Sequence, residues 1–157
     1  MADGHVVGIF LSPCAGDPMV EVSEARAIAG FGLEGDRYAL PLGGGKWNKG
    51  QPGTRQVTLI NARSFEGSHF KFADSRRNLV TNGMELMRLI NEEFEIGEVL
   101  MRGVKYCYPC DRPSELVGSK ISFADTFHDR GGLIAEIIVG GWIRRGSLIV
   151  PVVPVRS

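Results

Sequence analysis

Two cysteines stand three positions apart in "KYCYPCDRP", residues 105 to 113, with Pro109 beside the second and Lys105, Asp111 and Arg112 close by. A Cys-x-x-Cys spacing can close a disulfide, share a zinc ion, or leave one reactive thiol beside a bystander, and spacing alone does not choose. The nucleophile or ligand in each case is a thiolate, which the charges of Lys105 and Arg112 favour. Zinc would need about two further soft or imidazole ligands. The candidates are Cys14, His5, His69 and His128, and none repeats the paired spacing. Without any chemistry, the two cysteines are small buried apolar side chains at a strand end.

In "SRRNLVTNG", Arg76 and Arg77 precede Asn78 at the entrance to a strand-like run. Guanidinium groups hold phosphate through paired donors, and an asparagine amide reads donors and acceptors of a heterocycle. Successive strand residues face opposite ways, so one arginine is expected in a pocket and the other toward solvent. As a solvated charged edge, the same residues would only guard against aggregation. "GLEGDRY", residues 32 to 38, offers Asp36 to cap the amides of a glycine turn, with Arg37 paired to a surface acid. In "GGGKW", residues 43 to 47, a backbone nest with Lys46 as counter-charge suits a phosphate, although the spacing and following helix of a P-loop are missing. The glycines from 43 to 53 make residues 42 to 55 a loop expected to become ordered on a ligand, Lys49 meeting an anion and Trp47 covering a ring. "DRGG", residues 129 to 132, reads as a turn.

These residues need a scaffold, and 157 residues with 43% hydrophobic content make a single domain over 1–157 able to bury a core. Acidic and basic side chains balance, so no global field recruits nucleic acid or an anionic membrane. The N-terminus lacks a signal-peptide pattern, no window approaches a membrane span, and three cysteines is an odd number; a cytoplasmic protein with reduced thiols is expected. Glycines punctuate short apolar runs, as in a chain of many strands. "HVVGIFLS", "VEVSEARAI", "RQVTLI", "NLVT" and "FEIGEVLMRGVKY" each read as a strand, and "GGLIAEIIVGGWIRRGSLIVPV" as two runs around Gly140-Gly141. Asn61 is placed to start a short helix, and Leu86, Leu89, Ile90 and Phe94 recur at the spacing of a helix of two or three turns. The class is mainly β (α+β), a barrel or sandwich with a few short helices.

The order of "GLEGDRY", "RQVTLI", "RRNLVTNG", "FEIGEVL", "CYPC" and "GGWIRRGSLI", from about Gly32 to Val150, resembles the MOSC family, the domain at the C-terminus of molybdenum cofactor sulfurases. The length is similar to that of the stand-alone members, which carry no desulfurase half. The resemblance implies a β-barrel-like fold and a cysteine that carries sulfur or ligates molybdenum. By position in the motif that cysteine is Cys110, with Cys107 a second candidate ligand. It also implies that the arginine of "RRN", Arg76 or Arg77, and Asn78 stand at the molybdenum cofactor pocket; Lys46, Asp36 and Arg37 are further candidate binding residues. Many related sequences have histidine after the Gly-Asp pair, where this chain has Arg37 and Tyr38. The implied activity is sulfur transfer or reduction of N-hydroxylated small molecules, with a pyridoxal phosphate-dependent cysteine desulfurase or an electron-transfer protein as partner. A thiol-disulfide module cycling Cys107 and Cys110 is the alternative, although "CYPCDRPSEL" lacks the helix start within a βαβ pattern that such modules use. A ligand-binding domain without chemistry is a third.

Overall fold

The computed structural model describes residues 4–14, 16–39 and 55–152. Eleven strands are present among them: β1 (Gly4–Leu11), β2 (Val20–Val22), β3 (Glu24–Ile28), β4 (Gly32–Leu33), β5 (Val57–Asn61), β6 (Leu79–Asn82), β7 (Glu93–Ile96), β8 (Val99–Tyr106), β9 (Leu133–Val139), β10 (Gly141–Arg144) and β11 (Leu148–Pro151). Two short helices, α1 (Arg112–Val117) and α2 (Phe123–Thr126), follow β8. The main sheet runs β11-β7-β8-β9-β5-β6-β1, and β11 pairs back onto β1, so seven strands close into a barrel. Closure removes the free edges that an open sheet would expose. Neighbours are antiparallel except β5 and β6, which run parallel. A separate three-stranded sheet, β10-β3-β4, lies beside the barrel.

Alternation of side chains explains which strands face what. Phe94 and Ile96 on β7 point inward while Glu93 and Glu95 face solvent. Every residue of β5 is buried, because both its faces are covered. The barrel interior is filled by Val6, Ile9, Leu59, Leu79, Phe94, Met101, Leu133, Ile149 and their neighbours. A second cluster joins Phe10, Phe65, Phe70, Phe123 and Phe127, with Phe123 and Phe127 stacked at 4.1 Å between ring centroids. Each such ring removed from water contributes about 1.5–3 kcal/mol. That cluster fixes α2, and through it the segment leading to Gly131.

Three expected elements fold otherwise. "VEVSEARAI" divides at Ser23 into β2 and β3, which belong to different sheets. The expected helix over "MELMRLINEEF" is a 3-10 turn, Leu86–Leu89, followed by β7. Asn91 adopts a left-handed conformation with φ of 65° and ends the turn, so Phe94 reaches the core by strand alternation rather than helical spacing. The two C-terminal runs are three strands, with Gly146 at φ of 94° turning β10 into β11. Among the described residues, no helix is long and apolar enough to cross a membrane.

Candidate functional site

β8 carries the chain into the cysteine loop. Cys107 closes the strand: its amide donates to the Gly132 carbonyl at 2.9 Å, and its side chain is 0% exposed. Cys110, beyond Tyr108 and Pro109, is exposed. Of the pair, only Cys110 meets solvent. Asp111 then precedes α1, and its Oδ1 accepts from the Ser122 hydroxyl at 2.7 Å and from the Ala124 amide at 3.0 Å, tying α1 to the start of α2. Those bonds, the Ser122 one foremost, hold the Asp111 carboxyl below its ordinary range. A short helix therefore does follow the second cysteine, contrary to expectation, although no βαβ unit surrounds it.

The loop rests on the backbone at 131. A Cβ added at Gly131 would run into the Cys107 carbonyl and Pro109, so the close approach requires glycine. The Gly131 amide donates to the Tyr106 hydroxyl at 3.1 Å, and Arg77 Nε donates to the Gly131 carbonyl at 2.8 Å. Arg77 is thus a support beneath the cysteine loop. Its Nη1 donates to Ser75 O at 3.2 Å, while Nη2 is buried and has no hydrogen-bond partner among the described residues.

Arg76 is buried as well, which corrects the expectation that one of the pair faces solvent. The reason lies in the backbone. Arg76 closes a 3-10 turn, Phe72–Ser75, with φ of 61°, and β6 begins only at Leu79, so strand alternation does not apply to the two arginines. Arg76 Nη1 donates to Asp17 O at 2.7 Å and Nη2 to Ser12 Oγ at 3.3 Å. Asn78 is fully buried: Oδ1 accepts from the amide and hydroxyl of Thr58 at 3.1 and 3.2 Å, and Nδ2 donates to Phe10 O at 3.1 Å. Its amide links β1, β5 and the entry to β6 and is fully engaged within the protein.

Asp36 is likewise wholly buried. It accepts from the Ser12 amide at 2.9 Å and the Tyr38 amide at 3.3 Å, and pairs with Arg37 Nη1 at 3.3 Å. Capping is as expected, but the partner of Arg37 is this buried carboxylate and not a surface acid. Burial pushes the Asp36 carboxyl above its ordinary value, outweighing the amides and Arg37. Arg37 Nη2 donates to the Tyr38 hydroxyl at 2.9 Å and to Arg76 O at 3.2 Å. Arg55 reaches the same hydroxyl through Nη1 at 3.4 Å, its guanidinium 5.8 Å from the ring centroid. Burial opposes the charge on Arg55, but Tyr38, Cys107 and Cys110 lie close enough to favour it and raise its pKa. Arg76 moves the other way, lowered by burial and then by Arg37, with Arg112 adding to the repulsion.

Arg37 and Arg55 both reach the Tyr38 hydroxyl, Arg76 lies near Arg37 and Arg112, and Arg55 is close enough to Cys110 to feel its charge, so four distant stretches bring their arginines into one cationic group. Sequence reasoning missed Arg55 and Tyr38; the one signal for Arg55 was its position between a glycine-rich loop and β5. Lys105 faces solvent on β8. Lys46, with Trp47 and Lys49, lies outside the described residues. A cleft of about 250 Å³ opens next to Arg76, walled by Gly16, Pro18 and Met19 on one side and Leu116 and Val117 of α1 on the other. Among the described residues no group of three or more His, Cys, Asp or Glu could hold a metal ion.

A family model described as MOSC domain matches residues 53–150. No curated protein sequence matches the chain. Among solved structures, the YuaD protein from Bacillus subtilis is similar with a TM-score of 0.75 at 14% identity, over 94% of each chain. YiiM from Escherichia coli gives 0.66 at 19% identity, covering 99% of this chain and 73% of that one. YiiM from Geobacillus stearothermophilus gives 0.68 at 13%, covering 96% and 75%. At these identities the likeness speaks for the barrel alone. The family match takes in Arg55, Arg76, Arg77 and the cysteine loop, and with well over half of its length matched the chain belongs to the MOSC domain family.

Proposed function

We propose that the chain binds molybdenum cofactor at Cys110 and the neighbouring arginines, and uses it in sulfur transfer or in reduction of N-hydroxylated compounds. The observation that carries this reading is an exposed thiol, Cys110, within electrostatic reach of Arg55 and two residues before Arg112, both of which belong to a cationic group with Arg37 and Arg76. Molybdenum cofactor is a pterin dithiolene ending in a phosphate, and it supplies a metal that exchanges oxygen or sulfur with electron transfer. The donor set fits such a group. Cys110 is the soft ligand. Arg55 and Arg76 suit the phosphate. The unsatisfied Nη2 of Arg77 suits a heteroatom acceptor, since a buried donor without a partner costs about 1–3 kcal/mol. Asn78 supplies nothing further, its amide being fully used within the sheet.

The protein's own contribution would be positional. Asp36 and Tyr38 hold Arg37, Arg37 holds the Arg76 carbonyl, and Arg77 with Gly131 holds the loop that presents Cys110. A carrier and an oxidoreductase can share this scaffold. A cysteine desulfurase or an electron-transfer protein would be the partner in each case. A reducing compartment such as the cytoplasm keeps the three free thiols available.

Titration with a phosphorylated, metal-free pterin, followed by pterin fluorescence, tests the anion half of the site. Arg76→Ala and Arg55→Ala should each weaken binding by a charge-assisted contact, roughly 1.5–3 kcal/mol, while Cys110→Ser leaves it nearly unchanged. Equal affinity in wild type and both arginine variants would remove these residues from the site.

A further inference from the structure

We propose that a cavity beside the segment 129–132 binds a small zwitterion, a free α-amino acid with a short polar side chain. The cavity measures about 280 Å³ and lies where β5 and β8 end, with Asn61 and Tyr106 in its lining. Arg37, Arg55, Arg76 and Cys110 do not line it, so this site stands apart from the one proposed for the cofactor. Small-molecule sites begin at about 300 Å³. A single amino acid is a ligand of that size.

Two polar side chains in the lining are nine-tenths buried and have bonding capacity to spare. Asn61, 9% exposed, stands at the N-cap of the 3-10 turn Ala62–Phe65 but makes no capping bond. Its Oδ1 accepts from the Thr81 hydroxyl at 3.1 Å, while Nδ2 has no partner among the described residues. The Ser64 hydroxyl, on a residue also 9% exposed, has none either. Neither atom is sealed inside the protein as Arg77 Nη2 is, so both remain open to the cavity they line. A buried polar group without a partner is costly, and an acceptor oxygen on a ligand relieves that cost.

The charges at the cavity leave one pair over. Arg63 is bonded to Glu85 at 3.0 Å, and Asp129 lies 3.4 Å from His128 Nε2. The Arg130 guanidinium and the Glu66 carboxylate, both exposed, have no ion-pair partner among the described residues and are not paired with each other. One free cation and one free carboxylate on a single small cavity match the two ends of a zwitterion. Arg130 takes the α-carboxylate through its paired donors and Glu66 takes the α-ammonium. Asn61 Nδ2 and the Ser64 hydroxyl then meet an oxygen of the ligand's side chain, with Leu86 and Met87 as the apolar wall for its carbon.

Isothermal titration calorimetry of the full-length chain with L-serine and L-asparagine tests this. Saturable binding of at least one is expected at millimolar concentration or below. Ethanolamine, which lacks the carboxylate, and N-acetyl-L-serine, which lacks the cation, should each bind about tenfold more weakly than serine or worse, the loss of one charge-assisted contact. Arg130→Ala should abolish the preference for serine over ethanolamine, and Glu66→Gln the preference for serine over N-acetyl-L-serine. Ser64→Ala should weaken serine and leave glycine as in wild type. No saturable binding of either amino acid, ethanolamine and N-acetyl-L-serine binding as well as serine, or both preferences intact in the two charge variants would overturn the proposal. Serine affinity unchanged in Ser64→Ala would overturn the seating of the side chain. The titration needs neither Cys110 nor molybdenum cofactor, so its failure is distinct from failure to bind the cofactor.

Discussion

Asp36 holds more of the site together than its burial suggests: it orders the Ser12 amide, the Tyr38 amide and the Arg37 guanidinium, and through Arg37 the backbone of Arg76. Its charge is disfavoured by burial, which raises the folded pKa above the ordinary 3.8. Between those two values the folded chain keeps a proton that the unfolded chain has released, so stability falls as pH rises through the window. In Asp36→Asn that titration is gone. The stability difference, wild type minus Asp36→Asn, should be most favourable to wild type below 3.8, shrink as pH rises through the folded pKa, and then level off. Urea unfolding from about pH 3 to 8 measures it; a difference that stays flat throughout would show that Asp36 titrates as it does in the unfolded chain. Asp36, Arg37, Arg76, Arg77 and Cys110 could be picked out from sequence because charged residues beside glycine turns and paired cysteines are conspicuous. Their roles could not, since the engagement of Asn78 with Thr58 and of Arg77 with Gly131 joins residues far apart in the chain.

The cysteine loop depends on how closely the segment at 131 approaches it. Gly131→Ala would place a methyl group against the Cys107 carbonyl and Pro109, neither of which is a flexible side chain that can turn aside. Such overpacking costs roughly 1–3 kcal/mol, and the loop, less anchored than β8 beneath it, should be what moves. Cys107 in native Gly131→Ala should therefore become open to slow alkylation, whereas in wild type it should react only on unfolding. A variant that is less stable but keeps Cys107 protected would show that the strain is taken up elsewhere. At this scale the sequence announced strands where alternation was clear, as in β7 and β8, and where β-branched residues gathered, as in β5. It misled where a short period was shared: Leu86 and Leu89 fit a 3-10 turn as well as an α-helix, and only Asn91 at positive φ separates them.

Barrel closure joins the two ends of the described chain. β1 and β11 share two register pairs, Gly4 with Ile149 and His5 with Leu148, and the Val6 amide adds a bond to Ser147 O at 2.9 Å. Ile149, wholly buried, plugs this seam from inside. Ile149→Ala should cost about 2–5 kcal/mol, and amide exchange should rise first on β1 and β11 while β8 and β9 stay protected. Uniform acceleration across all strands would mean that the barrel opens as one unit. Neither this closure nor the parallel pairing of β5 with β6 is visible in local patterns, because each is set by residues that local sequence does not relate; the family resemblance, not periodicity, carried the barrel. In the function proposed above, the barrel presents Cys110 beside a cationic group, and molybdenum content tests that proposal most directly. Protein purified from a host that makes molybdenum cofactor should retain molybdenum in wild type and in large part in Cys107→Ser, and should lose it in Cys110→Ser with folding unchanged by circular dichroism. Molybdenum absent from wild type, or retained equally in Cys110→Ser, would contradict the assignment of Cys110 as its ligand.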